Sequence, residues 1–181
     1  MSHICPWWFA YTFDHSLRRW VHKPEKLLQP YLEDGMTAID IGCGMGFFSI
    51  GMAGLVGEQG SVIAVDLQQE MLDVLRKRAE KAGMLPRIRC HRCENDDIGL
   101  KERVDFALTF WMVHEVPDAQ RLLGQIHAIL EPTGRYLLVE PKIHCSRDRF
   151  RETVAAANRA GLSLIEYPAV RLSYAALFRK T

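Results

Sequence analysis

Excess charge of either sign is what this sequence has least of: 23 lysines and arginines stand against 22 aspartates and glutamates, for a net charge of +1. A chain so balanced has no general attraction to nucleic acid or to an anionic membrane, so a partner of either kind needs a local patch. The sequence shows no run of convincing size. Long apolar runs are also missing, and none approaches the roughly 20 residues of a membrane span. The first residues, MSHICPWWFAYTFDHS, are aromatic but interrupted by His3, Pro6 and Asp14, without the continuous apolar segment of a secretory signal. Five cysteines, an odd number scattered along a chain with no such signal, read as reduced thiols and imply a cytoplasmic protein. Repeats, linkers and low-complexity segments are absent. The 181 residues, 48% hydrophobic and 25% charged, exclude disorder and allow one globular domain with a sizeable core.

Short β-branched or apolar runs alternate with longer segments of helical period. Strands are expected over 37–41, 61–66, 87–92, 104–110 and 135–140, and helices over 46–57, 68–82, 118–130 and 146–160. The second helix has Met71, Leu72 and Leu75 on one face, charges on the other, and Gly83 as its stop. Such alternation implies a parallel sheet wound on both sides by helices. The last two runs, LSLIEYPAV and SYAALFRKT, have no helix between them and read as a closing antiparallel hairpin. The expected fold is α/β: a Rossmann-like, doubly wound, seven-stranded sheet, mostly parallel, with a C-terminal antiparallel hairpin.

The stretch AIDIGCGMGFFSI places Gly42, Gly44 and Gly46 where the first strand turns into the first helix, the position at which open parallel sheets bind ligands. Bare backbone there permits positive φ and close approach of a ligand, although a tight turn with no ligand has the same composition. A dinucleotide fingerprint requires a third glycine at position 47, which is Phe47. Asp40, two residues before the first glycine, repels a pyrophosphate and favours a ligand carrying an ammonium group. Asp66 ends the second strand, where a carboxylate accepts hydrogen bonds from a ribose diol; capping the next helix is compatible with that role. Ribose and ammonium without phosphate describe S-adenosylmethionine.

With these residues in place, the sequence resembles the class I S-adenosylmethionine-dependent methyltransferases, in particular the small ubiquinone/menaquinone-biosynthesis-like domains. The resemblance runs from about Pro24 to the end. It rests on DIGCGMG at 40–46, VIAVDLQQEML, VDFALTFWMVHEVPD and LEPTGRYLLVEPK. It implies that Asp40 orients the methionine amine through water or backbone and that Gly42, Cys43, Gly44 and Gly46 lie under the methionine and ribose. Asp66 would then hold the ribose hydroxyls, and Leu67 would pack on the adenine. The family's usual Gly-Asp-Ala after the third strand is here Cys93-Glu94-Asn95, so Glu94 and the Asn95 amide are the expected adenine contacts. The resemblance also divides the chain into an N-terminal aromatic cap segment, 1–23, and a methyltransferase domain, 24–181. Trp7, Trp8 and Tyr11 would form an apolar lid over the acceptor, although permanent packing accounts equally for so many aromatics.

Methyl transfer needs a base only when the nucleophile is protonated. His114, just beyond the fourth strand, is the candidate catalytic residue, its alternative being a histidine that orients the loop. Glu140, ending the fifth strand, and His144 are second candidates, and Glu140 is also placed in the acceptor site. Phe110 is expected to wall the methionine end of the cofactor pocket. Cys90-His91-Arg92-Cys93 lacks a second ligand pair, and strand alternation separates the two thiols, so no metal site is expected. RKRAEK reads as a solvated helix face, and Met45 and Met71 as packing residues. A small-molecule methyltransferase leads. A protein or RNA methyltransferase comes second, and a nicotinamide oxidoreductase, disfavoured by Phe47 and Asp40, comes third.

Overall fold

The structure, a computed structural model, describes residues 22–181 and divides the chain into two compact units that part between Cys93 and Glu94. Trp7, Trp8 and Tyr11 lie outside the described residues.

The first unit begins with a short helix, α1 (Pro24–Leu28), with proline at its start where the missing N–H costs nothing. Three strands follow, β1 (Thr37–Ile41), β2 (Ser61–Asp66) and β3 (Ile88–Arg92), separated by α2 (Phe47–Leu55) and α3 (Gln69–Lys81). They pair in parallel in the order β3-β2-β1, with Ile39 opposite Ile63 and Val62 opposite Ile88. Ala38 to Ile41 and Val62 to Asp66 are buried without alternation, as in strands covered on both faces. The stripe read on α3 is the face it buries: Met71, Leu72, Leu75 and Ala79. Each such leucine contributes about 1.5–3 kcal/mol of transfer free energy.

The second unit holds β4 (Val104–Phe110), α4 (Ala119–Ile129), β5 (Leu130–Pro141), α5 (Arg147–Arg159), β6 (Leu162–Glu166) and β7 (Ser173–Lys180). The strand order is β4-β5-β7-β6, parallel between β4 and β5 and antiparallel at both contacts of β7. Asp118 and Ser146 cap α4 and α5 by accepting the Arg121 and Arg149 amides, so each helix starts one residue after the polar residue that opens its pattern. β5 is longer than its apolar run, because Leu130 already pairs with Val104 and the strand takes in Glu131 to Gly134. Tertiary pairing there overrides the local turn composition. Among the described residues no helix is long and apolar enough to cross a membrane.

Candidate functional site

In the first unit the glycine turn is tied to the end of β2. The Gly42 and Cys43 amides both donate to the Val65 carbonyl, at 2.8 and 3.0 Å, and the Gly44 amide donates to Asp66 Oδ2 at 2.8 Å. Asp66 Oδ1 accepts the Gln68 amide at 2.9 Å. The carboxylate expected to hold a ribose therefore also fixes the loop beneath it. Burial raises its pKa above the usual carboxylate range, and the amides of Gln68, Gly44 and Leu67 partly offset that rise. Acceptor capacity is left on both oxygens, and the residue is 9% exposed.

Two of the glycines do different work. Gly46, at φ +82°, caps α2 in the left-handed region, and a Cβ there would lie 2.5 Å from Leu75 Cγ. Gly44, at φ +52°, would carry a Cβ into open space. The contrast separates a packing glycine from one whose bare face is available to a ligand. Gly46→Ala is expected to lower stability by about 2–4 kcal/mol, summing left-handed strain and overpacking. Gly44→Ala is expected to cost only about 1–2 kcal/mol of strain. Its larger effect should be weakened cofactor binding; chemical denaturation and calorimetry on both variants separate the two.

Asp40 is buried, and its Oδ2 accepts the Ser49 hydroxyl at 2.5 Å. Ser49 sits in the first turn of α2, so this carboxylate lies under a helix N-terminus, where its charge is favoured. Cys43 is buried, and its thiol pKa is raised by desolvation first and then by the carboxylates of Asp40 and Asp66; it is a packing residue and not a nucleophile. Leu67 is half-buried, and its carbonyl accepts Arg92 Nε at 3.3 Å.

In the second unit Glu140 is 1% exposed at the end of β5 and collects three donors. The Val113 amide donates to Oε1 at 3.1 Å, and the His114 amide and ring Nδ1–H donate to Oε2 at 3.1 and 2.7 Å. Because a carboxylate only accepts, this contact makes Nδ1 the donor and leaves Nε2 as the ring nitrogen that Glu140 does not engage. Nε2 lies 3.8 Å from Glu115 Oε1. The His144 ring stacks on that of His114 with centroids 6.0 Å apart, and Arg149 Nη2 donates to the His114 carbonyl at 2.7 Å. Three residues read separately in the sequence thus converge, with Glu140 as the anchor of His114.

Phe110 is buried, with its ring 5.4 Å from that of Trp111. Trp111 has φ +61°, a left-handed conformation costly for a bulky residue. It is held there by its amide on the Val139 carbonyl and its indole N–H on Ser173 Oγ, at 2.8 and 2.9 Å. Nothing in the sequence signals it, nor the parts played by Ser49 and Arg149. Glu94 and Asn95 open the second unit as exposed residues, the Glu94 amide donating to the Asp97 carbonyl at 3.0 Å. Asp97 Oδ1 accepts the Gly99 amide at 2.8 Å, closing a turn.

A family profile described as a methyltransferase domain matches residues 32–167. The demethylmenaquinone methyltransferase of Lactobacillus johnsonii is 29% identical over 107 residues, 59% of this chain and 44% of that protein, so the chain spans under half of that relative. A SAM-dependent methyltransferase from Aquifex aeolicus superposes with a TM-score of 0.89 at 22% identity, covering 98% of this chain and 100% of that one. A TehB-like SAM-dependent methyltransferase from Corynebacterium glutamicum gives 0.74 at 17% identity, over 95% and 99%. These likenesses show the fold to be the one read from the sequence: α/β, Rossmann-like, seven-stranded, mostly parallel, and antiparallel toward the C-terminus.

Proposed function

The chain belongs to the methyltransferase-domain family, matched over residues 32–167, and on that premise we propose that it transfers a methyl group from S-adenosylmethionine to a small-molecule acceptor. The observation that carries the cofactor reading is the Gly44–Asp66 clasp. A buried carboxylate with unspent acceptor capacity is held 2.8 Å from an amide of a glycine whose missing side chain faces open space. That arrangement fits a ribose diol lying on bare backbone. Gly42, Cys43, Gly44 and Gly46 supply the floor, Asp66 the ribose acceptors, and Leu67 an apolar face for the adenine. Asp40 acts on the amine through backbone or water, as its bond to Ser49 turns its carboxylate under α2. Glu94 and the Asn95 amide are proposed for the adenine edge and Phe110 for the methionine end.

S-adenosylmethionine supplies a methyl group already activated on a sulfonium. The protein's part is alignment, exclusion of water and removal of a proton from the acceptor. His114 does the last: Nδ1–H stays on Glu140, Nε2 takes the proton of the attacking group, and Glu115 faces the cation that results. A small acceptor is supported by the quinone named in the Lactobacillus johnsonii relative and by this His–Glu pair, which suits a hydroxyl or an acidic carbon. Trp7, Trp8 and Tyr11 are retained as the proposed lid. The four described cysteines are free thiols, in keeping with a cytoplasmic setting.

The test is calorimetry with S-adenosylhomocysteine and NAD. One site per chain for the first and negligible affinity for the second are expected, and tight NAD binding overturns the reading. The pH dependence follows from Asp66. Its charged form accepts the ribose hydroxyls and its folded-state pKa is raised, so affinity should fall on acidification before an ordinary aspartate would be protonated. The same raised pKa acts on folding in the opposite sense. The native chain holds that proton more tightly than the unfolded one, so this group's contribution to stability is full below the unfolded pKa and is lost as pH rises through the folded one. A titration of S-adenosylhomocysteine affinity between pH 4 and 8 checks the binding half.

A further inference from the structure

A groove of about 620 Å3 opens in the second unit between the start of α5, the end of β5 and the segment joining β6 to β7. Its walls combine two chemistries. Phe150 and Tyr174 stack at 5.3 Å, and Tyr167, 60% exposed, lies 6.4 Å from Phe150. Around these rings stand Lys142, Arg147, Arg151 and Arg171, with no carboxylate among the lining residues. Lys142 Nζ lies 5.4 Å from the centre of the Tyr174 ring, and Arg151 pairs with Asp148 at 3.4 Å.

The placement of these cations works against local helix stability. Arg147 and Arg151 are one turn apart on α5, a like-charge pair, and Arg147 is the helix's first residue, where the macrodipole disfavours a cation. Arg151 is offset by its pair with Asp148, whereas Arg147 opposes its own helix, and in a chain whose total charge is only +1 that position needs another reason. An anion in the groove provides it, and the exposed Tyr167 ring in its wall calls for a flat apolar body next to that anion. The volume matches a small organic ligand.

Resting on the methyl-transfer reading, we propose that this groove selects the acceptor, and that the acceptor is an aromatic ring bearing an anionic group, a carboxylate or a phosphate. The anion pairs with Lys142 and Arg147 while the ring packs against Tyr167 and Tyr174.

Calorimetry on the full chain tests it with 3,4-dihydroxybenzoate and phenyl phosphate as the two anionic arms and catechol as the neutral control. At least one anionic ligand is expected to bind tenfold or more tighter than catechol, and whichever does names the anion. Lys142→Glu/Arg147→Glu should abolish that preference without lowering thermal melting or S-adenosylhomocysteine affinity, since a glutamate at the start of α5 suits the macrodipole. The milder single changes Lys142→Gln and Arg147→Gln should each remove part of the preference, which keeps the test decisive if the double variant misfolds. Equal affinity for catechol and both anions, or a preference that survives charge reversal, overturns the proposal. So does inorganic phosphate binding as tightly as phenyl phosphate, or a short RNA oligonucleotide binding more tightly than either aromatic anion. A chain that keeps the preference yet fails to bind S-adenosylhomocysteine refutes the methyl-transfer reading and leaves the groove as an anion site.

Discussion

His114→Ala lowers turnover by about a hundredfold or more while S-adenosylhomocysteine affinity stays nearly unchanged. The expectation follows from the hydrogen bond to Glu140: with Nδ1–H donated at 2.7 Å, Nε2 is the ring nitrogen left to act as base. A merely structural histidine predicts something different, namely parallel losses of melting temperature and activity. Added imidazole separates the two further, since it restores part of the turnover of a chain lacking a base and does nothing for one lacking a loop anchor. Glu140→Gln should cost a comparable factor through His114, because an amide cannot accept all three of the hydrogen bonds that the carboxylate accepts. The double variant should then lose little more than the worse single one, as expected for groups acting as a unit. Full additivity of the two losses contradicts the dyad.

Asp66→Ala should weaken S-adenosylhomocysteine binding by about 1.5–3 kcal/mol, through loss of charge-assisted bonds to the ribose. The structure adds a complication, since the same carboxylate accepts the Gly44 amide and the substitution also frees the loop. A ligand cycle resolves it. Against the 2′,3′-dideoxy counterpart of S-adenosylhomocysteine the substitution should cost much less, because the ribose bonds are already gone and only the loop contribution remains. Equal losses for both ligands would show that Asp66 acts on the loop alone.

The elements themselves were legible because their signals are local. Apolar runs of five to seven residues became β1, β2 and β4, and the Met71–Leu72–Leu75 stripe became the buried face of α3. Asp118 and Ser146, the first residues of two expected helices, are their N-caps, so those helices begin one residue later. Gly46, the residue just before α2, was read as part of its helix, and its φ of +82° makes it the cap instead. The boundary shifted because the helix pattern is defined by side chains, and a glycine has none to place.

The sequence by itself determined the glycine turn, the acids at the ends of β1 and β2, and the family, because each depends on residues close in the chain or on spacing within one crossover. Only the tertiary structure decided what those groups do to one another. Asp66 reaches back 22 residues to the Gly44 amide, and Glu140 reaches back 26 to the imidazole of His114; strand register, not composition, sets both meetings. Trp111 carries no mark of its left-handed backbone, which the Val139 carbonyl and Ser173 impose from other strands. The cations of the groove are dispersed between positions 142 and 171, separated by acids and neutral residues, in a chain whose total charge is only +1. Charge becomes a patch only when folding brings like signs to one wall, and a linear sequence records the charges without their distances.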